Sequence, residues 1–205
     1  MALRERFIQN CLLFSEDQEL CESLWLEIER NYSEKGRYYH NLQHLEHMFY
    51  ELDSVKDKIL DIPFLTFSVF YHDIVYNVLS KSNEEKSAEF AATRLQKLNI
   101  DEKTIQDISK QILATKTHVK SGQSDTNYLL DADLSVLGKD YNTYLDYTQK
   151  IRKEYSIYPD LLYKPGRSKV LQHFLELESI FKTEYFIARY EKQAKNNIEW
   201  ELKNL

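Results

Sequence analysis

Residues 67–76 of this chain read FSVFYHDIVY, which places a histidine and an aspartate side by side in an almost wholly apolar run. An ionised carboxylate buried in such a run costs several kcal/mol unless a cation or a hydrogen-bond donor compensates for it. The run follows Pro63 and is apolar on nearly every side, so it predicts a buried central helix. His72 and Asp73 therefore require polar partners from elsewhere in the chain.

Candidate partners lie on both sides of this run. Upstream, His40 and His44 are four residues apart, one turn apart on a helix predicted from residue 38 to about residue 59. Downstream, Asp131 and Asp133 lie in a second apolar run. A pair of imidazoles, the His-Asp doublet and a distant carboxylate are enough for one metal ion held by three segments. The mixed nitrogen and oxygen donors favour Mn, Fe, Co, Ni or Zn over Mg.

The composition predicts an all-α protein with a single domain over residues 1–205, a helical bundle of about nine to ten helices. Only 4 Gly and 3 Pro are present, which leaves little material for tight turns. Apolar residues recur at helical spacing along most of the chain. Two stretches break this pattern, because residues 119–127 are polar and residues 159–166 are bracketed by proline and glycine. We predict loops there.

The charge and the cysteines limit the classes of partner and the location. A formal net charge of -6 argues against general nucleic-acid binding, because no basic tract is long enough to neutralise many phosphates. No run of about 18 apolar residues is present, so we expect no membrane span. Cys11 and Cys21 lie in an amphipathic segment and do not form a CxxC motif. With no recognisable signal peptide, the expected location is the reducing cytoplasm.

The pattern of polar residues resembles the H…HD…D signature of the HD superfamily of metal-dependent phosphohydrolases. His44 matches the first histidine, the pair His72-Asp73 matches the doublet, and Asp133 matches the last aspartate. The resemblance implies that residues 37–138 form the helical core of an HD-type domain. It also implies that residues 139–205 form C-terminal helices packed on that core.

Two short fragments resemble motifs of the cyclic-nucleotide phosphodiesterases. Residues 39–44 read YHNLQH and residues 132–135 read ADLS. In those enzymes the first histidine of YHNxxH donates a proton and the second ligates a metal. The resemblance therefore implies that His40 is the general acid and that His44 is a ligand. In the alternative assignment, His40 ligates the metal and His44 only supports it.

The resemblance implies an enzyme and a reaction. The chain would be a metal-dependent phosphohydrolase that cleaves a phosphomonoester or phosphodiester of a small molecule, such as a nucleotide, with metal-activated water. The alternative is a non-catalytic helical module that binds a metal or a nucleotide and signals through a partner. The predicted catalytic residues are His40 and Asp73, and the predicted ligands of one divalent transition-metal ion are His44, His72, Asp73 and Asp133.

Other polar residues have open interpretations. Asp131 and Asp133 would point about 200 degrees apart on a helix, so only one can ligate a given ion; the match favours Asp133 and leaves Asp131 to cap a neighbour. His118 is the only histidine between the doublet and Asp133. It would be either a pocket residue or a surface residue, and a second full metal site lacks a ligand. Candidate cations for the substrate, each equally suited to an ordinary ion pair, are Arg37, Lys116, Arg152 and Arg167.

Overall fold

The computed structural model describes residues 1–205 and consists of ten α-helices without a strand, which confirms the all-α prediction. None of these helices is sufficiently long and apolar to cross a membrane. Single turns of 3-10 helix lie at Lys56–Lys58 and Ser135–Gly138. The helices are α1 (Leu3–Cys11), α2 (Gln18–Tyr32), α3 (Leu42–Asp53), α4 (Ile62–Tyr71), α5 (Asn83–Lys97), α6 (Glu102–Ala114), α7 (Ser124–Leu134), α8 (Tyr141–Glu154), α9 (Asp160–Glu176) and α10 (Glu184–Asn204).

Helix α4 is the centre of the bundle. Every residue from Leu65 to Tyr71 is buried, and the helix contacts α1, α3, α5, α6 and α7. The side chain of Asp61 accepts the backbone N–H of Phe64, and Pro63 occupies the first turn, where its missing N–H costs no helical hydrogen bond. The buried, central position of this run is as its sequence predicts, but the helix ends at Tyr71 rather than continuing to residue 76, so His72 and Asp73 lie just after it.

Helix α3 is shorter than the helix predicted from residue 38 to about residue 59. It begins at Leu42 because Asn41 is its N-cap, with the Asn41 side chain accepting the backbone N–H of Gln43 at 2.9 Å. His40 consequently precedes the helix, whereas His44 lies in the first turn. The prediction that the two histidines share one helix face was wrong, because asparagine competes for backbone hydrogen bonds and ends the helix there.

The predicted loops are also shorter than expected. Helix α9 continues through Pro165 and Gly166, so the loop prediction for residues 159–166 was wrong. Pro165 withholds a hydrogen bond only from the carbonyl of Leu161, a residue that is 84% exposed, so water can bond this carbonyl instead. Helix α7 begins at Ser124 and takes the last part of the loop predicted for residues 119–127.

Helix α10 packs against the turn that follows α7. A Cβ atom on Gly138 would lie only 2.8 Å from the backbone oxygen of Tyr190, so glycine permits this close approach. The side-chain amide nitrogen (Nδ2) of Asn197 donates to the backbone carbonyl oxygens of Leu137 and Lys139, both at 2.8 Å. These contacts fix the C-terminal helix against the end of α7, where Asp133 lies.

Candidate metal centre

Three side chains from separate segments converge on one point. The Nε2 atoms of His44 and His72 are 3.2 Å apart, and Oδ1 of Asp133 lies 3.2 Å from the first and 3.9 Å from the second. Ligand atoms about 2.1 Å from one ion are separated by about 3.0 to 3.4 Å in octahedral or tetrahedral geometry. Two of the three spacings fall in that range and the third is slightly wider. The three residues could therefore hold a metal ion.

The local structure orients both imidazole rings. His72 directly follows the last residue of α4, and its Nδ1 lies 2.9 Å from the backbone oxygen of Val69. This hydrogen bond places the proton on Nδ1 and leaves the Nε2 lone pair for a metal. His44 lies in the first turn of α3 and is 2% exposed, and His72 is 1% exposed. Both rings are therefore held by surrounding protein rather than by solvent.

Asp73 lies beside this group. Its Oδ2 atom is 3.1 Å from Nε2 of His72 and 3.9 Å from Nε2 of His40. The hydroxyl of Tyr32 is 3.3 Å from the backbone nitrogen of Asp73 and accepts its N–H. The carboxylate thus stands between a candidate ligand, His72, and the candidate proton donor, His40.

His118 also lies in this region and contacts a candidate ligand. Its Nε2 atom lies 2.9 Å from Oδ2 of Asp133. The residue adopts a left-handed backbone conformation with φ of 51°, and its backbone N–H bonds to the carbonyl of Ala114 at the end of α6. The two oxygens of Asp133 therefore contact two different histidines, His44 and His118.

The electrostatics of the site favour ionised carboxylates. Burial raises the pKa of Asp73 and of Asp133, but the nearby histidines outweigh burial and hold both pKa values below their usual range. Burial lowers the pKa of His72, yet the charge of Asp73 raises it to about 9. For His44 burial prevails and the pKa is lowered. His72 must lose a proton to ligate a metal, so metal affinity should fall at low pH.

A buried carboxylate, Glu154 of α8, holds His40 in place. Its Oε2 lies 2.7 Å from Nδ1 of His40, and its Oε1 accepts the backbone N–H groups of Tyr39 and His40 at 2.7 and 2.9 Å. Burial lowers the pKa of His40, but Glu154 outweighs burial and raises it. The Tyr76 ring stacks on the imidazole with centroids 4.2 Å apart. Nε2 of His40 is left to face Asp73.

The two aspartates of α7 point to different structures. Asp131 accepts the backbone N–H groups of Lys182 and Thr183 and the hydroxyl of Thr183, at 2.7 to 2.8 Å. It therefore stabilises the segment that begins α10, although burial still raises its pKa to about 6. Asp133 points instead to the histidines, as the spacing of two residues on a helix predicts.

Arg37 has a structural position rather than a free guanidinium. Its side chain donates to the backbone oxygens of Asp73 at 2.7 Å, Ile74 at 2.9 Å and His40 at 3.3 Å. These bonds join the segment before α3 to the segment after α4. The two terminal nitrogens of Arg37 are therefore engaged by backbone oxygens at the site.

Lys116 and Arg152 are ion-paired away from the three ligand atoms. Lys116 contacts Glu85 and the backbone oxygen of Lys81. Arg152 contacts Asp160 at 2.7 Å and donates to two backbone oxygens that follow α8. Each of these cations therefore has an intramolecular ion-pair partner. An ordinary ion pair was the alternative to substrate binding that their sequence positions allowed.

Arg167 of α9 has a side chain that is only 8% exposed and that binds another helix. It makes a two-point contact with Glu201 of α10 at 2.7 and 2.9 Å, and its third nitrogen lies 3.3 Å from the hydroxyl of Tyr147. Burial lowers the pKa of this guanidinium, but the surrounding tyrosines and Glu201 raise it well above its usual value. Arg167 thus joins α9, α10 and α8, and it is not brought to the metal centre.

Comparison with known proteins identifies no relative: no protein-family model matches the chain, and neither curated proteins nor solved structures give a match. The function must therefore be inferred from the residues of the site. One of these residues, Glu154, was missed by sequence reasoning. It follows Tyr144, Tyr147 and Ile151 on the buried stripe of α8. A glutamate that continues an apolar stripe is the signal that predicts a buried charge.

Proposed function

We propose that this chain is an HD-type, metal-dependent phosphohydrolase that cleaves a phosphomonoester or phosphodiester of a small molecule such as a nucleotide. The observation that carries the proposal is the convergence of His44, His72 and Asp133 with Asp73 and His40 beside them. A mixed nitrogen and oxygen donor set of this kind suits Mn, Fe, Co, Ni or Zn. A proton donor next to such a set is what hydrolysis of a phosphate ester requires.

The metal would supply positive charge at a site where the candidate arginines have protein partners. A bound divalent ion lowers the pKa of a coordinated water toward neutrality and polarises a phosphoryl oxygen. Burial raises the pKa of Asp73, but His72 and His40 outweigh burial and keep the carboxylate ionised, so it could ligate the ion and orient a water by accepting a hydrogen bond from it. His44 and Asp133, whose ligand atoms are 3.2 Å apart, would supply two further ligands to the ion. Since Arg37, Arg152 and Arg167 have protein partners, the phosphate charge would be balanced mainly by the metal and by His40.

His40 has the properties of a general acid. Glu154 accepts a hydrogen bond from Nδ1, so the ring orientation is fixed and the remaining proton of the imidazolium lies on Nε2. Burial lowers the pKa of His40, but Glu154 outweighs burial and raises it, which favours the protonated ring. Donation of the Nε2 proton to the leaving oxygen would leave a neutral imidazole that still donates from Nδ1 to Glu154. Such general acid catalysis contributes about 10²- to 10⁴-fold.

The test is turnover under defined metal loading. The protein is stripped with a chelator, reloaded with Mn, Co, Ni or Zn, and assayed against phosphomonoesters, nucleotides and cyclic dinucleotides. We expect turnover with at least one metal, abolished by chelation. The variant His72→Ala should lose both metal and turnover, whereas His173→Ala, which alters an exposed histidine of α9, should keep both.

Two results would contradict the proposal. Stoichiometric metal without turnover of any substrate would favour the binding module over the enzyme. If the intact protein bound none of these metals, the proposed metal centre would be wrong. The metal-dependent enzyme and the metal-binding module would then both be excluded.

A further inference from the structure

A cavity of about 250 Å³ lies between α3, the turn Ser135–Gly138 and α8. It shares His44 with the metal centre, but His72, Asp73 and Asp133 do not line it. It is therefore a compartment adjacent to the candidate ligands rather than the space that they enclose. Its volume is just below the range of about 300 to 1,000 Å³ that is usual for drug-sized ligands, so it suits a smaller molecule.

Aromatic side chains form part of the cavity wall. Tyr39, Tyr50 and Tyr147 line it, and the rings of Tyr39 and Tyr147 pack edge to face with centroids 4.7 Å apart. Val136 and Ala132 add apolar surface. Walls of this kind favour a planar ring, because aromatic pairs gain energy beyond the burial of their area.

Lys139 offers one of two ammonium groups in the lining. It pairs with the buried carboxylate of Glu51 and donates to the hydroxyl of Tyr190 at 2.9 Å. An ammonium group has three hydrogens, so two are engaged and one is left. The carboxylate of Glu51 also accepts a hydrogen bond from the hydroxyl of Tyr190, at 2.8 Å.

Lys150 offers the second ammonium group. It pairs with Asp146 at 2.7 Å and donates to the side-chain oxygen of Gln43 at 3.4 Å, which again leaves one hydrogen. The carboxylate of Asp146 is 60% exposed and therefore largely hydrated. Two lysine hydrogens thus remain for an acceptor that enters the cavity.

Neutral donors complete the lining. Ser135 is 3% exposed, and no group of the chain hydrogen-bonds to its hydroxyl. His47 also lines the cavity; burial lowers its pKa, and the charges of Lys139 and Lys150 lower it further. At His47 the charges of Lys139 and Lys150 outweigh those of Glu46 and Glu51, so this edge of the cavity favours an anion although Glu51 and Asp146 also line it.

We propose that this cavity binds a small organic anion composed of a planar ring and one phosphate or carboxylate group. The acidic group lies at Lys139, Lys150 and Ser135, and the ring packs on the tyrosines. This goes beyond the proposed phosphohydrolase activity and does not depend on a bound metal. The same chemistry could come from part of the enzyme's substrate or from a separate effector.

The test uses phenylphosphonate, whose carbon–phosphorus bond a phosphohydrolase does not cleave, and the metal-free protein. Titration calorimetry should detect binding, and methylphosphonate, which lacks the ring, should bind more weakly. Lys150→Gln should weaken binding about tenfold, the effect expected from one charge-assisted hydrogen bond. Ser135→Ala should weaken it to a smaller extent without changing any charge.

Lys153→Gln is the matched control, because Lys153 is an exposed residue of the same helix that does not line the cavity. It should leave the affinity unchanged. No binding at millimolar phenylphosphonate, or equal losses in Lys150→Gln and Lys153→Gln, would overturn the proposal. Failure of turnover in the metal-loaded protein would leave this result intact, so the two proposals fail separately.

A second arm distinguishes the two sources of the anion. In the metal-loaded enzyme, competitive inhibition by phenylphosphonate that Lys150→Gln weakens would mean that the cavity receives part of the substrate. Inhibition or activation that does not compete with substrate, and that Lys150→Gln also weakens, would mean a separate effector. An effect on turnover that Lys150→Gln leaves unchanged would count against the cavity as the binding site.

Discussion

Nδ1 of His40 lies 2.7 Å from Oε2 of Glu154, a side chain that is wholly buried and 114 residues further along the chain. The same carboxylate accepts the backbone N–H of His40 at 2.9 Å. Glu154 therefore fixes both the backbone and the ring of the candidate proton donor. No other carboxylate lies within hydrogen-bond distance of this imidazole, because Asp73 is 3.9 Å from its Nε2.

This contact predicts a change in the pH dependence of turnover. Glu154→Gln should keep the metal but reduce turnover, because the amide no longer raises the pKa of His40. The alkaline limb of the pH profile should move to lower pH, since His40 loses its proton earlier. The profile of Glu199→Gln, an exposed glutamate of α10, serves as the control and should be unchanged. An unaltered alkaline limb in Glu154→Gln would remove His40 from the role of general acid.

The same pair predicts a pH window of stability in the metal-free protein. Burial lowers the pKa of His40 but Glu154 raises it above 6.5, so the contribution of His40 is complete below pH 6.5 and is lost as pH rises through the raised pKa. Burial raises the pKa of Glu154 but His40 lowers it below 4.5, so its contribution is complete above pH 4.5 and is lost as pH falls through the lowered pKa.

The contribution of the pair to the free energy of unfolding is therefore greatest between pH 4.5 and 6.5. Urea unfolding of the wild-type protein and of Glu154→Gln measures this difference. The difference should be largest at about pH 5.5 and smaller at about pH 8.5. A difference that grew steadily with pH would show that His40 does not carry the charge.

The two aspartates of α7 should separate metal binding from stability. Asp133→Asn should weaken metal binding about 100-fold or more, because a charged ligand is removed. Asp131→Asn should keep the metal but lower the free energy of unfolding by about 1 kcal/mol, because it weakens the cap before α10. Metal titration and denaturation of both variants provide the measurement. Equal loss of metal in the two variants would mean that the wrong aspartate has been assigned.

Gly138 should be intolerant of even one added carbon. Gly138→Ala should lower the free energy of unfolding by about 1 to 3 kcal/mol, the usual cost of forced overpacking, because its Cβ would collide with the backbone of α10 at Tyr190. The control is Gly122→Ala, since a Cβ atom there meets nothing within 4 Å. Denaturant midpoints of the two variants test the prediction. Equal midpoints would mean that α10 moves away without cost.

Much of the fold was determined by local sequence. The scarcity of glycine and proline and the helical spacing of apolar residues predicted an all-α chain, and the uniformly apolar run before His72 predicted the buried α4. These inferences succeeded because helix formation and burial of a face depend on residues within a few turns. Two residues were misjudged: Asn41 begins α3 later than predicted because its own side chain caps the helix, and Pro165 is tolerated because the carbonyl it leaves unbonded belongs to the exposed Leu161.

The candidate site was likewise predicted in part from the sequence and decided in part by the tertiary structure. The sequence by itself brought forward His44, His72 and Asp133, and helix periodicity directed Asp131 away from Asp133. Only the tertiary structure decided that Glu154 orients His40 and that His118 contacts Asp133. The tertiary structure alone also showed that Arg37, Arg152 and Arg167 have intramolecular partners. The physical reason is that an ionic contact depends on distance in space, and the side chains concerned are separated by up to 114 residues of chain whose packing no local pattern encodes.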